Sequence, residues 1–258
     1  MLYMVKLMKI VKEEKIMRDK NKIVIFDWGG VVESHREGEY NVFNARTDII
    51  KSLIGNKLSE NAITKKWNEC NHDENNKCIS EIYKKGDIQK WFERIKKSFG
   101  IQCNYDEFYA MYQEKFDKIE YYKDVVKFAH SLKDKCKIGI LSNLSILDKN
   151  RIDKHYNLSK FDYVWLSFEM ECKKPKEEIY IKVENDCKIE PTNILFIDDV
   201  MENLIPAQKR GWNICNADGY EIEKIKNTVE NFLITDGKIY DEYGGKNENR
   251  NRYRQYIN

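Results

Sequence analysis

The sequence predicts an α/β fold in which a parallel β-sheet is flanked by helices on both faces. Five short apolar runs have the length and composition of buried strands, and the intervals between them can hold helices. Such alternation is typical of parallel sheets, because each crossover helix returns the chain to the end of the sheet at which the previous strand began. The predicted strands cover 22–27, 137–142, 163–167, 193–198 and 212–215.

Helical periodicity fills the later intervals between these strands. The candidate helices cover 147–156, 176–187 and 201–210, and Gly211 ends the last of them as a C-cap glycine would. The crossovers are expected to be right-handed, as in nearly all parallel sheets.

The first interval is different, since more than a hundred residues separate Asp27 from Lys137. A helix beginning near Tyr122 is expected to return the chain to the sheet, and 37–120 is interpreted as an all-helical insertion. The three prolines all lie outside this insertion, as helices prefer. Its candidate helices cover 47–54, 60–70, 76–85, 88–99 and 106–119.

The division that follows has four parts. An N-terminal extension covers 1–20, and the α/β core combines 21–36 with 121–235. The helical insertion covers 37–120. The tail over 236–258 is rich in Gly, Asn and Arg, and we expect it to be flexible.

Composition narrows the possible partners and the compartment. The 258 residues carry 45 Lys+Arg against 43 Asp+Glu, and a net charge of +2 gives no general attraction to nucleic acid or to anionic membranes. No segment approaches the roughly 20 apolar residues of a membrane span. The seven cysteines include no CxxC pair, which favours reduced thiols and a cytoplasmic location. The oligomeric state stays open.

Polar side chains follow three of the predicted strands at the point where each strand ends. These are Asp27, Ser142 with Asn143, and the pair Asp198-Asp199. The carboxyl ends of parallel strands form the ligand crevice of an open sheet, so we expect these groups to meet. Carboxylates brought together repel unless a cation separates them, and hard oxygen ligands favour Mg²⁺.

A lysine completes the group. Lys174 lies between the third strand and the next helix, directly before Pro175. An ammonium at this place can neutralise phosphate charge and the carboxylate of Asp27, while Ser142 and helix N-terminal amides can hold phosphoryl oxygens.

In this order and spacing, the four segments resemble the four motifs of the haloacid dehalogenase (HAD) superfamily. The resemblance spans 22–215 and implies a Rossmann-like core, while the helical insertion matches the superfamily's C1-type cap. The first motif has the Asp-x-Gly-x-Val form of a phosphatase-like subgroup. The matching segments are Phe26-Asp27-Trp28-Gly29-Gly30-Val31-Val32, Leu141-Ser142-Asn143, Lys174-Pro175 with Ile179-Tyr180, and Phe196-Ile197-Asp198-Asp199 with Glu202-Asn203.

The resemblance implies a phosphatase that uses Mg²⁺ and acts on a small phosphorylated metabolite, such as a sugar phosphate or a nucleotide. Asp27 would attack phosphorus and form an aspartyl-phosphate, which water then hydrolyses. Asp27, the backbone carbonyl of Gly29, and Asp198 would bind Mg²⁺. Asp199 would act through water or as a supporting partner.

It also implies a substrate-binding set. Ser142 and Lys174 would bind the phosphoryl group and take part in catalysis, and Asn143 would help position the substrate. Trp28 would line the substrate entrance or pack against the cap. Asn203 would brace the fourth motif.

One position departs from the superfamily's phosphatases, most of which carry a second aspartate as acid and base two residues after the nucleophile. Gly29 stands there in this chain. Glu33 and His35 are the nearest titratable candidates to replace it, although both are equally compatible with solvent-exposed residues at the start of the cap. A water molecule or a good leaving group would also suffice. A phosphomutase is disfavoured, because it depends on that aspartate.

Two alternatives stay open. The superfamily's 2-haloacid dehalogenases also lack the second aspartate and need no metal, but they usually have Tyr-Gly-Thr where this chain has Gly29-Gly30-Val31. The pair Asp198-Asp199 favours the metal-dependent reading. The third possibility is a catalytically weak member whose cap serves as a binding surface.

Overall fold

A computed structural model describes residues 19–73, 78–81 and 85–235 of the chain. Its centre is a five-stranded parallel sheet in the order β3-β2-β1-β4-β5, which confirms the predicted fold class. Residues 1–18 of the predicted extension and the whole predicted tail, 236–258, lie outside the described residues. The strands are β1 (Asp19–Phe26), β2 (Cys136–Ser142), β3 (Tyr163–Leu166), β4 (Ile194–Asp198) and β5 (Asn213–Asn216).

The helices follow the strands as crossovers, except for a group between β1 and β2 and for the last helix, which comes after the last described strand. In chain order they are α1 (Val42–Ile54), α2 (Glu60–Cys70), α3 (Lys85–Phe99), α4 (Tyr105–Phe116), α5 (Lys123–Ser131), α6 (Ile146–His155), α7 (Ser167–Met170), α8 (Glu177–Cys187), α9 (Met201–Lys209) and α10 (Ile222–Ile234).

The register of the sheet aligns the ends of its central strands. Phe26 of β1 pairs with Ile140 of β2 on one side and with Ile197 of β4 on the other. The amide of Asp27 donates to the carbonyl of Ile197 over 2.9 Å, so β1 and β4 run together to their last residues. The polar residues that follow these strands therefore emerge at one edge.

Both faces of the sheet are buried. Successive side chains of a strand point to opposite faces, and β1 contributes apolar residues to both. Val24 and Phe26 belong to a cluster that includes residues of α5 and α10. Ile23 and Ile25 belong to a second cluster that includes residues of α8 and α9.

Helices α1 to α4 form a third apolar cluster of their own, within the segment predicted to be a cap. Aromatic rings fill it: the ring centroids of Trp67 and Trp91 lie 5.7 Å apart, and both rings contact Phe108. Leu147 of α6 joins this cluster from the core. The cap boundaries at 37 and 120 stay a prediction.

Two expectations about helices need correction. The helix predicted over 76–85 is in its described part only a 3₁₀ turn, Ile79–Glu81, and its remainder lies mainly outside the described residues. Helix α10 is an addition to the predicted elements, because it follows the last predicted strand and is not a crossover. Its buried residues are Ile225, Val229 and Phe232, one stripe at helical spacing. None of the described helices is long and apolar enough to cross a membrane.

Candidate active site

Three carboxylates meet at the carboxyl edge of the sheet. Asp27 follows β1, Asp198 ends β4 and Asp199 comes next, and oxygens of all three lie within 4.8 Å of one another. Asp27 is 6% exposed and Asp198 is fully buried. The sequence prediction that these residues lie together agrees with this geometry.

Lys174 lies among these carboxylates. Its Nζ is 2.9 Å from Oδ2 of Asp27 and 2.7 Å from Oδ2 of Asp198. Burial opposes a charged ammonium, but the two aspartates outweigh it and raise the pKa of Lys174. Lys174 is therefore a protonated lysine held inside the protein by its acidic partners.

Asn143 holds the backbone of Lys174 in place. Its Nδ2 donates to the carbonyl of Lys174 and its Oδ1 accepts from the Lys174 amide, each over 2.9 Å. The peptide bond between Lys174 and Pro175 is cis. Since Asn143 follows β2 directly, the second predicted motif positions the lysine of the third.

The two oxygens of Asp27 have different partners. Oδ1 accepts from the hydroxyl of Ser142 and from the amide of Trp28, each over 2.6 Å. Oδ2 contacts Lys174. These contacts fix the orientation of the carboxylate, as a nucleophile that attacks along one line requires.

The loop after β4 is braced by side chains that the fourth motif supplies. Oδ1 of Asp198 accepts from the amide of Val200 over 2.8 Å, and Nδ2 of Asn203 lies 3.1–3.2 Å from both oxygens of Asp198. The hydroxyl of Tyr180 in α8 donates to the carbonyl of Asn203 over 2.5 Å. Asn203 is thus a support of Asp198, as expected from the sequence.

The charge at this edge suits a cation. Burial raises the pKa of Asp198 to about 6, although Lys174 opposes the shift. Burial, with the charges of Asp198 and Asp27, raises the pKa of Asp199 well above its ordinary range. Three carboxylates face one ammonium, and hard oxygen donors of this kind fit Mg²⁺.

Gly30 makes room for Asp199. Its φ of +76° lies in the left-handed region, and a Cβ atom at this position would come within 2.3 Å of Cγ of Asp199. Real Cβ atoms do not approach other atoms so closely, so the site requires glycine here for both reasons.

His35 lies beside Gly29, where most phosphatases of the superfamily have their second aspartate. A Cβ atom built on Gly29 would come within 2.9 Å of Cε1 of His35. The imidazole therefore occupies the space that an aspartate side chain would enter. Burial lowers the pKa of His35, although Glu33 and Asp27 oppose the shift, which favours the neutral ring at neutral pH.

Glu33, the other titratable candidate, is buried and paired instead. Its Oε2 lies 2.7 Å from Nη2 of Arg151 and accepts from Nε1 of Trp28 over 3.3 Å. A carboxylate that neutralises a buried arginine is poorly suited to proton transfer. Of the two candidates, the geometry favours His35.

A cavity of about 650 Å³ joins these groups to the cap. Asp27, Ser142, Asn143 and Lys174 belong to its core side. Residues of helices α1 to α4 form the opposite wall, and the sequence did not indicate any of them: Arg46, Trp67, Asn68, Trp91 and Tyr112.

Trp28 lies outside the described lining of this cavity. Its side chain is 1% exposed and makes edge contacts with Tyr121 and Tyr156, at centroid distances of 6.1 and 5.4 Å. It is not among the described residues that line the cavity. The expectation that Trp28 binds substrate is therefore not supported; an indole that follows a buried strand packs into the core instead.

Solved structures of low sequence identity share this fold. A HAD family enzyme from Bacteroides thetaiotaomicron matches with a TM-score of 0.58 and 21% identity, over 75% of this chain and 92% of that one. That enzyme in complex with magnesium and inorganic phosphate matches with a TM-score of 0.57, 19% identity and the same coverage.

Two further structures have the same architecture. A HAD-like family hydrolase from Porphyromonas gingivalis matches with a TM-score of 0.57 and 18% identity, over 83% of this chain and 98% of that one. An L-2-haloacid dehalogenase matches with a TM-score of 0.52 and 13% identity, over 75% and 82%.

No curated protein matches the sequence significantly. The family model of the haloacid dehalogenase-like hydrolases, in contrast, matches residues 21–210, which is most of the chain and includes all four motifs. The protein therefore belongs to the haloacid dehalogenase-like hydrolases.

Proposed function

We propose that this hydrolase is a Mg²⁺-dependent phosphatase that acts on a small phosphorylated metabolite. The observation that carries the proposal is the cluster of Asp27, Asp198 and Asp199, whose oxygens lie within 4.8 Å of one another. Without a cation this cluster would repel a phosphate dianion. With one, it has the charge and donor set for phosphoryl transfer.

The residues of the chain have distinct tasks. Asp27 attacks phosphorus and becomes an aspartyl-phosphate, while Lys174 and Ser142 bind phosphoryl oxygens. Oxygens of Asp27, Asp198 and Asp199 and the carbonyl of Gly29 would hold Mg²⁺. Bound Mg²⁺ would neutralise charge on the transferring group.

Hydrolysis of the phosphoryl-enzyme needs a base for the attacking water. We assign this task to His35, because its ring lies 2.9 Å from the Cβ position that an acid at residue 29 would have. Its neutral form can accept a proton from water. The imidazolium formed in this way would give its proton, in the next turnover, to the alkoxide that leaves as Asp27 attacks phosphorus.

The fold of an L-2-haloacid dehalogenase is also similar, so dehalogenation is the second candidate. The substrates of a 2-haloacid dehalogenase are carboxylates, and that reaction requires no metal. Without a metal ion, the three aspartates at this site would repel a carboxylate substrate. The B. thetaiotaomicron complex with magnesium and phosphate supports the phosphatase.

All seven cysteines are free thiols, which supports a cytoplasmic location.

Hydrolysis of an aryl phosphate with and without Mg²⁺ tests the proposal. Asp27→Asn should lower kcat by about a thousandfold or more, since the nucleophile is lost. Asp153→Asn, an exposed partner of Lys149, is the matched control and should keep full activity. Turnover that persists in Asp27→Asn, or that ignores chelation of Mg²⁺, would contradict the proposal. Turnover of a 2-haloacid instead would establish the dehalogenase.

The assignment of His35 is tested by comparing leaving groups. General acid–base assistance is worth about 10²–10⁴ in rate and matters most when the leaving alkoxide is basic. His35→Asn should therefore slow an alkyl phosphate more than an aryl phosphate. Equal losses on both substrates, or the same selectivity in Glu33→Gln, would remove His35 from this role.

A further inference from the structure

Arg46 lines the cavity but is not one of the residues proposed to bind the phosphoryl group. It lies on α1 of the cap and lines the same cavity as Asp27. It precedes Ile49 by three residues and Ile50 by four, and both isoleucines are fully buried. Side chains at these spacings share one helix face, so the arginine faces inward.

The guanidinium of Arg46 has few polar partners. Nη1 lies 3.4 Å from Oδ1 of Asn68, a long hydrogen bond, and the group lies 5.7 Å from the ring centroid of Trp67. Nε is shielded from solvent and makes no hydrogen bond. No carboxylate among the described residues forms an ion pair with it.

The other enclosed cations of the site have acids beside them. Arg151 lies 2.7 Å from Glu33, and Lys174 contacts two aspartates. A charge shielded from water without an acidic partner is costly, and an anionic ligand at Arg46 would offset that cost.

Two acids whose charges act on Arg46 have other partners. Glu33 pairs with Arg151. Asp148 accepts from the hydroxyl of Tyr112 over 2.8 Å and from that of Ser145 over 2.6 Å. Burial lowers the pKa of Arg46, and the charges of Asp148 and Glu33 only oppose this shift.

We propose that Arg46 binds a second anionic group of the substrate, and that the substrates are phosphate monoesters with a carboxylate or another phosphate at their far end. The inference rests on the proposed function and specifies its substrate class. The phosphoryl group is bound at Lys174, and the far anion reaches the cap. A neutral sugar end would leave the guanidinium unpaired.

Binding rather than turnover gives the cleanest test. Calorimetric titrations in the Asp27→Asn background, with Mg²⁺ present, compare ligands that differ in one group. Two pairs test a carboxylate at different distances from the phosphate: 3-phosphoglycerate against glycerol 3-phosphate, and 6-phosphogluconate against glucitol 6-phosphate. A third pair, fructose 1,6-bisphosphate against fructose 6-phosphate, tests a second phosphate.

The member of at least one pair that carries the second anionic group should bind about tenfold or more tightly, as expected for a charge-assisted hydrogen bond. Arg46→Gln should abolish this preference and leave the affinity of the member with a single phosphate and no second anionic group nearly unchanged. Arg46→Lys should retain part of it. Arg94→Gln is the matched control, because Arg94 is another partly buried cap arginine, its Nε donates to the carbonyl of Cys70, and it does not line the cavity.

The outcomes separate the inference from the proposed function. If no pair shows a preference, or if the preference survives Arg46→Gln, Arg46 does not bind substrate. If binding depends on Arg46 but wild-type protein hydrolyses none of the phosphates, the phosphatase proposal fails and the anion site stands. If the phosphates are hydrolysed with no preference, only the inference fails.

Discussion

At Gly30, steric and electrostatic requirements coincide. Asp199 needs space beside the nucleophile loop, and the loop needs a left-handed turn at the same residue. Most other residues would be strained there, and any side chain would displace the carboxylate. The requirement for glycine therefore comes from the carboxylate cluster as much as from the backbone.

Substituting this glycine separates the two effects. Gly30→Ala should lower the free energy of unfolding by about 1–3 kcal/mol through backbone strain. It should also weaken Mg²⁺ binding, because Cβ would lie 2.3 Å from the Asp199 carboxyl carbon. Urea unfolding and Mg²⁺ titration of activity measure the two quantities.

Gly55→Ala is the control for strain alone. Gly55 has a φ of +72°, and nothing lies within 4 Å of its Cβ position. This variant should lose stability and keep its Mg²⁺ affinity. A Gly30→Ala protein with unchanged Mg²⁺ dependence would show that Asp199 does not serve the metal.

The sequence indicated the residues at strand ends but not those that reach the site from elsewhere. Asp27, Ser142 and Asp198 could be predicted because an apolar strand stops at each of them. Arg46 carried only a weak signal, a cation on the apolar face of a helix. The position of His35 beside Gly29 depends on how the chain turns after β1, which no local pattern specifies.

Among the elements, α6 connects the core to the loop after β1. Arg151 of α6 is 1% exposed and pairs with Glu33 of that loop. Nη1 of Arg151 also donates to the phenol oxygen of Tyr121. The pair thus links the helix after the second motif to the loop after the first.

Breaking the ion pair between Arg151 and Glu33 should lower the free energy of unfolding. Arg151→Met leaves Glu33 buried and unpaired, which typically costs about 3–5 kcal/mol of unfolding free energy. The double variant Arg151→Met with Glu33→Met should recover part of that loss, because no lone charge remains. Urea denaturation of both variants measures the difference.

An exposed pair serves as the comparison. Lys127 and Asp124 on α5 are 76% and 77% exposed at their side chains, so Lys127→Met should change stability little. If Arg151→Met behaves like Lys127→Met, the buried pair does not hold α6 to the loop.

Element prediction succeeded where burial dictates the pattern. All five strands lie within a few residues of their predicted bounds, because parallel strands buried on both faces are continuous apolar runs. Helix α10 was missed although Ile225, Val229 and Phe232 form an apolar stripe. No strand follows it in the described part of the chain, so the strand–helix alternation did not indicate another helix.

On the scale of the whole molecule, the cavity lies between the α/β core and helices α1 to α4. The sheet has an apolar cluster on each face, and the cap helices enclose a cluster of their own. The sequence could predict a helical insertion, from the length of the interval between the first two strands. Its docking contacts, such as Tyr112 with Asp148 of α6, join residues 36 positions apart and need the fold itself.

The carboxylate cluster affects the stability of the whole protein. A carboxyl group whose pKa is higher in the folded state holds its proton more tightly there than in the unfolded chain. Asp198, with a pKa raised by burial to about 6, and Asp199 are such groups. Without metal, their contribution therefore favours the folded state at low pH and is lost as the pH rises from about 4 to above 6.

Mg²⁺ should reverse this trend, because it binds the ionised carboxylates and competes with protons. A ligand that binds only the folded state raises stability according to its concentration and affinity. The increase in Tm on adding Mg²⁺ should therefore be larger at pH 7.5 than at pH 5.5. Asp198→Asn should abolish most of the increase, while Asp153→Asn, outside the site, should retain it. An increase that is equal at both pH values would mean that Mg²⁺ binds away from these carboxylates.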